Sequence, residues 1–469
     1  MWDLLLTNGV IITVDGEHHL YDKGYIGVEG DTIAAIGPME ELGERTAARV
    51  IDCKGHAILP GLVDGHGHGG HCLIRTLGEH LDDGWEEMAE TIYYRCTDPE
   101  FWRAEGALAA AERLKFGTTT AVSMVGSTPR VDSILPVQAN LEGSVATGIR
   151  QLSGIGSPYG AFPKVARTYR EDGSFEDTVV TPEMAYKTTE EAVRTLNGRH
   201  KRMMCIVAPG RMGRRPDESD EANIRHNREM HRIAETYDVP LHTHAYGGDV
   251  QFMMDHTPEV LTPRLSLTHS TGYSQQELEI LARTGPYVFH GPTTHANAVG
   301  HCPVQEMLEM GIHLAVVTDG TAGDRSFDLW RDMKNVQLFQ RFRKRDGTLL
   351  PCGKVLELVT IEPARALGLD HLIGSLEVGK RADIIAVNVM QPHLAPFVMP
   401  VQRLVYHAMG QDVDLVIVDG QIAMEGRTLT QISEEKVLED AARAFEKMIS
   451  RLNRRPEVMQ NDKLYELRQ

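Results

Sequence analysis

The sequence of 469 residues lacks the features of several protein classes. None of its six cysteines forms a Cys-x-x-Cys pair, which argues against a thiolate metal site and indicates a reducing compartment. No apolar run approaches the roughly 18 residues that a membrane-spanning helix needs. Basic residues are outnumbered, 48 Lys and Arg against 66 Asp and Glu, so we expect no nucleic-acid partner and no anionic membrane partner. The N-terminus lacks a basic region before its apolar stretch, and we predict a cytoplasmic protein without a signal peptide.

The remaining composition is that of an ordinary globular protein with a surplus of histidine. Hydrophobic residues make up 42% of the chain and charged residues 24%, and the length allows one to three domains. The chain contains 21 histidines, and their positions carry most of the functional information.

The central part of the chain alternates short apolar runs with segments of helical period, a pattern that predicts βα units around a buried parallel sheet. The eight runs are ILPGLVDGHGH, TTTAVSM, SVATGIRQLS, MMCIVAP, VPLHTHA, RLSLTHS, YVFHG and HLAVVTDG. Eight such units predict an α/β fold, a (β/α)8 TIM barrel, with its catalytic domain at residues 59–371.

Short strands also occur before and after the predicted barrel. Residues 1–58 and 372–430 each contain too few strands to bury a core, so we expect them to form one discontinuous β-sandwich domain beside the barrel. Residues 431–469 are charged and helical in period, and predict a C-terminal helical tail. The segment 159–187 is polar and without clear period, and predicts a long loop over one barrel face.

Polar side chains that can bind metal follow several of the eight runs. The first run ends in His66 and His68, the fifth in His-Thr-His, the sixth in His269 and the eighth in Asp319. In a barrel these ends meet at the C-terminal face, where active sites lie. Alternation along a strand places His66 and His68 on one face, so both can bind the same ion. Imidazoles with one carboxylate suit zinc, iron, cobalt or manganese rather than calcium.

A structural interpretation competes with each of these assignments. A single His at a strand end is more often a hydrogen-bonded structural residue than a ligand. This applies in particular to His71, His290, His295 and His301, of which His71 and His295 remain candidates for contact with the substrate. Coincidence does not readily explain why several successive barrel strands end in His or Asp. We therefore predict a metal site.

The motifs together resemble the amidohydrolase superfamily. They are ILPGLVDGHGH, LHTHAYG, LSLTHSTGYSQQELEILARTGPYVFHGPT, GIHLAVVTDGTAGDRSFDLWRDM and GSLEVGKRADIIAV, in the family order. The chain resembles in particular the branch of cytosine deaminase, the triazine hydrolases and related aminohydrolases, and is similar to phenylurea and thiocarbamate hydrolases. The resemblance implies a (β/α)8 barrel with a flanking β-sandwich built from both chain ends.

The resemblance also implies roles for individual residues. One divalent metal, most often zinc, would be bound by His66, His68, His244 and Asp319. Asp319 would also be the proton shuttle, and His269 would hydrogen-bond the attacking hydroxide or the substrate. Binuclear members use a carboxylated lysine at the end of strand four, and this chain has the sequence IVAP there, so one metal is expected.

Two departures from the family pattern affect the expected reaction. Family deaminases carry a glutamate three residues after the strand-five histidine, where this chain has Gly247. Asp249 lies two residues further along and could replace it at the substrate. The first motif reads GHGHGGH where AHTH or SHTH is usual, and we interpret the added glycines as enlarging or reshaping the pocket.

Two reactions remain open at this point, beside a non-catalytic barrel that would be expected to have lost its ligands. The favoured hypothesis is a mononuclear hydrolase that attacks the carbonyl of an amide, urea or (thio)carbamate with metal-bound hydroxide, because such a substrate needs no ring protonation by a glutamate. The alternative is an aminohydrolase, a deaminase or dechlorinase, of a pyrimidine, purine or triazine. In both cases the partner is a small molecule, and the branch is usually homo-oligomeric.

Overall fold

The computed structural model describes most of the chain. The described ranges are 1–78, 84–125, 130–158, 160, 162–322 and 325–459, without the side chains at 298, 299 and 457. The strands are β1 (Trp2–Ile12), β2 (Leu20–Glu29), β3 (Thr32–Pro38), β4 (Ala47–Asp52), β5 (His56–Pro60), β6 (Leu62–Asp64), β7 (His68–Gly69), β8 (Thr118–Val125), β9 (Arg150–Ile155), β10 (Lys164–Tyr169), β11 (Phe175–Val180), β12 (Met203–Val207), β13 (Leu241–Tyr246), β14 (Leu265–Thr271), β15 (Tyr287–His290), β16 (Leu314–Val316), β17 (Ile384–Asn388), β18 (Val413–Val418), β19 (Gln421–Glu425) and β20 (Thr428–Leu429).

Helices follow most of the central strands, as βα units require. The helices are α1 (Trp85–Arg95), α2 (Pro99–Lys115), α3 (Leu135–Val145), α4 (Pro182–Leu196), α5 (Asp220–Thr236), α6 (Asp249–His256), α7 (Gln275–Thr284), α8 (Pro292–Thr294), α9 (Val304–Glu309), α10 (Leu329–Lys344), α11 (Cys352–Glu357), α12 (Ile361–Ala366), α13 (Pro400–His407), α14 (Glu434–Arg451) and α15 (Arg455–Met459). Several begin at side-chain caps: Asp98 and Pro99 start α2, and Ser274 and Glu277 form a capping box on α7.

The central strands form the predicted parallel barrel. The order is β16-β15-β14-β13-β12-β9-β8-β6, with β7 paired to β8, and neighbouring strands are parallel. Between the first and the last strand, the amide of Asp319 donates to the carbonyl of His66 at 3.1 Å. The eight runs identified in the sequence therefore correspond to the eight positions of the barrel.

The first run is divided between two sheets. Its residues up to Pro60 belong to β5 in the flanking sheet, and its residues from Leu62 belong to β6 in the barrel. The division falls at Gly61, where a Cβ atom would overlap the side chain of Thr119. A glycine allows the chain to pass from one sheet to the other at this crowded point.

Strands from both chain ends form a second sheet. Its order is β20-β19-β18-β17-β5-β1-β2-β3, and β4 pairs with β1 beside β5. The antiparallel pairing of β17 with β5 joins the C-terminal strands to the N-terminal ones. That residues 1–58 and 372–430 fold as one unit stays a prediction.

A buried ion network connects the flanking sheet to the N-terminal end of the barrel. The guanidinium of Arg150, in barrel strand β9, pairs with both Asp383 and Asp419. Arg202 pairs with Asp419 at 2.9 Å and donates to the carbonyl of Val418 at 2.8 Å. Because each buried carboxylate faces a guanidinium, the interface contains no uncompensated charge within this group.

The structure revises the prediction for segment 159–187 and describes only part of the predicted C-terminal tail. The predicted loop 159–187 is wrong: β10 and β11 form an antiparallel hairpin there, and α4 begins at Pro182. Residues 159 and 161 lie outside the described residues. The helical tail is present as α14 and α15, and its last ten residues are also outside the described part of the chain.

Candidate metal centre and active site

Three histidines converge at the C-terminal end of the barrel: His66 between β6 and β7, His68 in β7 and His244 in β13. The potential ligand nitrogens of His66, His68 and His244 all lie within 4.8 Å of one another. The Nε2 atoms of His68 and His244 are 3.3 Å apart. Asp319 completes the group, because its Oδ1 atom lies 3.3 Å from Nε2 of His66 and 3.1 Å from Nε2 of His68. All four side chains are buried.

A hydrogen bond fixes the direction of the His244 lone pair in this cluster. Nδ1 of His244 lies 2.7 Å from the carbonyl oxygen of Gly210, which can only accept, so Nδ1 carries the proton and Nε2 carries a lone pair. Nε2 of His66 is buried without a hydrogen-bond partner among the described residues. A cluster of lone pairs and a carboxylate facing one another is stabilised by a cation at its centre, so the residues fit a divalent metal.

The environment of the cluster keeps His66 and His244 neutral. Burial lowers the pKa of His66 well below its usual value and lowers that of His244 to about 4. Neutral imidazole is the form that binds metal. Burial alone would raise the pKa of Asp319, but the charge of Arg325 and the adjacent His66 and His68 rings outweigh it and hold the pKa well below normal. The Asp319 carboxylate is therefore ionised beside the neutral imidazole of His66.

The second carboxylate oxygen of Asp319 is held by two residues that the sequence did not identify. The hydroxyl of Thr294 donates to Oδ2 at 2.8 Å, and Nη1 of Arg325 donates to it at 3.1 Å. The amide of Gly320 donates to Oδ1 at 2.7 Å. Asp319 has a φ of 63°, a left-handed conformation uncommon outside glycine, so the backbone itself is held in a strained form. The sequence offered one indication of these contacts: Thr294 follows the seventh barrel strand and Arg325 follows the eighth.

His269 lies beside the cluster, and its hydrogen bond to the hydroxide or the substrate stays a prediction. Its ring centroid is 5.1 Å from that of His244, and its Nδ1 atom has no partner among the described residues. His269 also has positive φ, at 74°, and the register between β13 and β14 slips at Ser270. Bulges of this kind re-aim side chains next to active sites.

His242, the other histidine of the fifth strand, lies behind the cluster. Its Nε2 atom is 2.7 Å from Nδ1 of His66, and its Nδ1 atom is 2.7 Å from the hydroxyl of Ser266. Thr268 also contacts Nε2, at 3.1 Å. This chain of hydrogen bonds orients the His66 ring, which agrees with the choice of His244 rather than His242 for the cluster.

His71 and His295 both lie close to the cluster. The His71 ring stacks on His68 at 4.8 Å, and neither of its nitrogens has a partner within the described chain. The His295 ring is 5.6 Å from His269. Nδ1 of His295 lies 3.1 Å from the carbonyl oxygen of Gly300, so its Nε2 is a buried lone pair that no described residue satisfies.

Asp249 has a structural role in place of the predicted one at the substrate. Arg211 donates to both of its oxygens, at 3.0 and 3.1 Å, and the amides of Tyr246 and Arg214 donate at 2.8 and 3.0 Å. The residue is 1% exposed. A carboxylate that accepts four hydrogen bonds at the start of α6 has little capacity left for a substrate.

At the glycines that depart from the family pattern, the space that a side chain would occupy is taken by neighbouring groups and is not open. A Cβ atom on Gly247 would overlap the carbonyl oxygen of Gly272, and one on Gly65 would lie 2.8 Å from the Phe289 ring. A Cβ atom on Gly67 would overlap the guanidinium of Arg113. These glycines therefore do not enlarge the pocket, and that they reshape it stays a prediction.

The barrel and the cluster define a class of protein. Three histidines and an aspartate that converge at the C-terminal face of a (β/α)8 barrel fit the site of a metal-dependent hydrolase. The model of the amidohydrolase family matches residues 57–423, and the chain belongs to this family.

Curated relatives match over almost the whole chain. A 5-methylthioadenosine/S-adenosylhomocysteine deaminase from Syntrophobacter fumaroxidans is 30% identical over 93% of this chain and 96% of its own. A 5′-deoxyadenosine deaminase from Methanosarcina mazei is 27% identical over 97% of this chain and all of its own.

Solved structures share the fold at lower identity. An adenosine deaminase from Xanthomonas campestris, solved with bound zinc, has a TM-score of 0.82 at 22% identity, over 96% of this chain and 99% of its own. The zinc complex of atrazine chlorohydrolase TrzN from Arthrobacter aurescens has a TM-score of 0.81 at 20% identity, over 94% of this chain and 100% of its own.

This protein is thus an enzyme, a metal-dependent amidohydrolase of carbon–nitrogen bonds other than peptide bonds, and its substrate is a small molecule. None of the described helices is long and apolar enough to cross a bilayer.

Proposed function

We propose that this enzyme is a hydrolytic deaminase of an amino-substituted N-heterocycle, such as a purine, pyrimidine or triazine. The observation that carries the proposal is the match to curated deaminases of adenosine-type nucleosides over more than nine-tenths of the chain. This reverses the preference drawn from the sequence, which placed hydrolysis of an amide, urea or carbamate first. Homo-oligomeric assembly and a cytoplasmic location stay predictions.

In this proposal one zinc ion is held by His66, His68, His244 and Asp319. A divalent metal bound there lowers the pKa of water from about 15.7 to roughly 7–9 and polarises the substrate. Support for a single ion comes from strand β12, which is followed by Ala208 and Pro209 and offers no lysine that could bridge a second metal.

Asp319 is proposed to move the proton. Its ionised carboxylate accepts a proton from the attacking water and passes it to the departing nitrogen, as general base and then general acid. Thr294 and Arg325 hold Oδ2, so that Oδ1 remains directed at His66 and His68. His269, next to His244, is placed to hydrogen-bond the oxygen or the polarised atom of the substrate.

His295 is proposed to recognise the amino group. Its Nδ1 proton is committed to Gly300, so Nε2 offers a lone pair that a substrate N–H can satisfy. His71 lines the other side of the cluster through its stack on His68. Since burial lowers the pKa of both His71 and His295, both are neutral at physiological pH and can form hydrogen bonds without adding charge.

A specific observation favours a second candidate, hydrolysis of an amide, urea or (thio)carbamate. Attack on an aromatic ring requires a proton on the adjacent ring nitrogen, and family deaminases supply it from a glutamate at the position of Gly247. Here the carbonyl of Gly272 packs against that position, and Asp249 is bound by Arg211. A carbonyl substrate needs no such proton, because polarisation of its oxygen is sufficient.

One screen separates the two candidates. Purified enzyme is incubated with adenosine-type nucleosides, aminopyrimidines and aminotriazines, and in parallel with amides, ureas and carbamates, while ammonia and amine are assayed separately. Release of ammonia from a heterocycle supports the proposal, provided that His295→Ala raises the KM for this substrate and so reduces the release. Amine from a carbonyl substrate, with no ammonia from any heterocycle, would replace it with the second candidate.

A further inference from the structure

The turn that carries His66 and His68 packs against a buried arginine. Arg113, on helix α2, is fully buried, and its guanidinium occupies the space in which a side chain on Gly67 would lie. The guanidinium stacks on the ring of Phe327, 3.6 Å from its centroid. The backbone of residue 67 is therefore confined on one side by a planar, charged group.

The same arginine connects the strands that supply the cluster. Nε of Arg113 contacts Oδ2 of Asp64 at 3.3 Å, and Nη1 donates to the hydroxyl of Ser123 at 3.0 Å. The amide and hydroxyl of Thr318, the residue before Asp319, donate to Asp64 at 3.1 and 2.6 Å. One ion pair thus joins β6, β8 and the end of β16.

Backbone hydrogen bonds complete this arrangement. The amide of Met124 donates to the carbonyl of Gly67 at 2.8 Å, and the amide of Asp319 donates to that of His66 at 3.1 Å. The histidine turn is held by β8 on one side and by the Asp319 backbone on the other. The guanidinium of Arg113 fills the remaining side, where only a glycine leaves room for it.

We infer that Arg113 is a positioning residue of the metal centre. It fixes the backbone of the His66–His68 turn through contact with Gly67, and relates this turn to Asp319 through Asp64 and Thr318. The inference rests on the proposed ligand set. Residues that orient metal ligands typically change metal affinity by about 10- to 100-fold when altered.

A double-mutant cycle between Gly67 and Arg113 tests this inference. The measurement is the rate at which a chelator removes metal from purified wild type, Gly67→Ala, Arg113→Lys and the double variant. We expect Gly67→Ala to release metal at least about 10-fold faster than wild type. Arg113→Lys keeps a positive charge for Asp64 but loses the packing against Gly67, so on its own it should also release metal faster than wild type, though by less than Gly67→Ala. Lysine is too short to reach the methyl group that Gly67→Ala introduces, so the double variant should return to the rate of Arg113→Lys.

A matched glycine substitution far from the metal centre serves as the control. Gly9→Ala introduces a similar overlap, 2.5 Å from Cδ1 of Ile58, in the flanking sheet, and should lower the melting temperature without changing metal release. If Gly67→Ala is insoluble, recovery of soluble, metal-containing double variant is the same rescue, and failure to recover it contradicts the inference. Equal metal release in Gly67→Ala and the double variant also overturns it, and so does a wild-type rate of metal release in Arg113→Lys. Wild type that holds no metal would instead overturn the proposed ligand set.

Discussion

The role of Asp319 can be tested by a substitution that preserves its shape. In Asp319→Asn, an amide oxygen at the Oδ1 position can still accept the hydrogen bond from Gly320. The amide nitrogen then faces Nη1 of Arg325, a donor opposite a donor, in place of the 3.1 Å ion pair. The variant cannot accept a proton from water and loses an anchor of its side chain.

The two effects have different magnitudes. Loss of a general base typically slows a reaction by about 10²- to 10⁴-fold. Loss of a hydrogen bond to a charged group costs about 1.5–3 kcal/mol, which corresponds to roughly 10- to 100-fold in rate. Thr294→Val removes one anchor of Oδ2 and keeps the base, so it is the matched control. We expect at least about 10²-fold loss of kcat in Asp319→Asn and a smaller loss in Thr294→Val.

The assay measures kcat with the substrate found in the ammonia and amine screen, together with metal content by elemental analysis. Asp319→Asn should keep part of its metal, because the three histidines remain. A variant with near-normal turnover would refute the assignment of Asp319 as the proton shuttle. If Thr294→Val were as slow as Asp319→Asn at full metal content, orientation rather than basicity would account for the effect.

Three further predictions concern the metal, the pH dependence and the domain organisation. His66→Ala combined with His68→Ala should abolish metal binding, and elemental analysis of wild type should give one ion per chain; two tightly bound ions would contradict the site. Burial raises the pKa of Asp332 to about 7 against hydrogen bonds from Thr293, so between about pH 4 and 7 the folded chain holds a proton that the unfolded chain has released. Stability should therefore fall as pH rises through this window, and Asp332→Asn should weaken the trend in thermal melts; an unchanged slope would disprove it. Deleting 1–58 or 372–430 should give insoluble protein, and a soluble, active barrel would show that the ends are separate appendages.

The barrel was predictable because its signal is periodic and repeated. Eight apolar runs separated by helical segments allow few other arrangements, and strand ends in a barrel converge whatever the loops do. His66, His68, His244 and Asp319 could be named for this reason. The family resemblance then distinguished His244 from His242, which lies on the same strand and contacts His66 from behind.

The remaining features depend on contacts that sequence does not encode locally. Arg325 and Thr294 meet Asp319 only because two different βα loops fold over the same strand end. Asp249 was expected at the substrate, but its ion pair with Arg211 is formed across loops separated by 38 residues. The sequence did not reveal the hairpin of β10 and β11, because both strands are rich in polar residues and β11 is mostly exposed. They therefore lack the apolar alternation that identifies a strand.

The packing of Gly272 against Gly247 limits how this enzyme could be redesigned. A glutamate at residue 247, the position of the family carboxylate, would collide with the Gly272 carbonyl, and main-chain atoms cannot move aside as a flexible side chain can. Engineering that acid into the chain therefore requires remodelling of the segment after β14 together with the substitution. In evolutionary terms, a single codon change does not connect this loop to that of the glutamate-bearing deaminases.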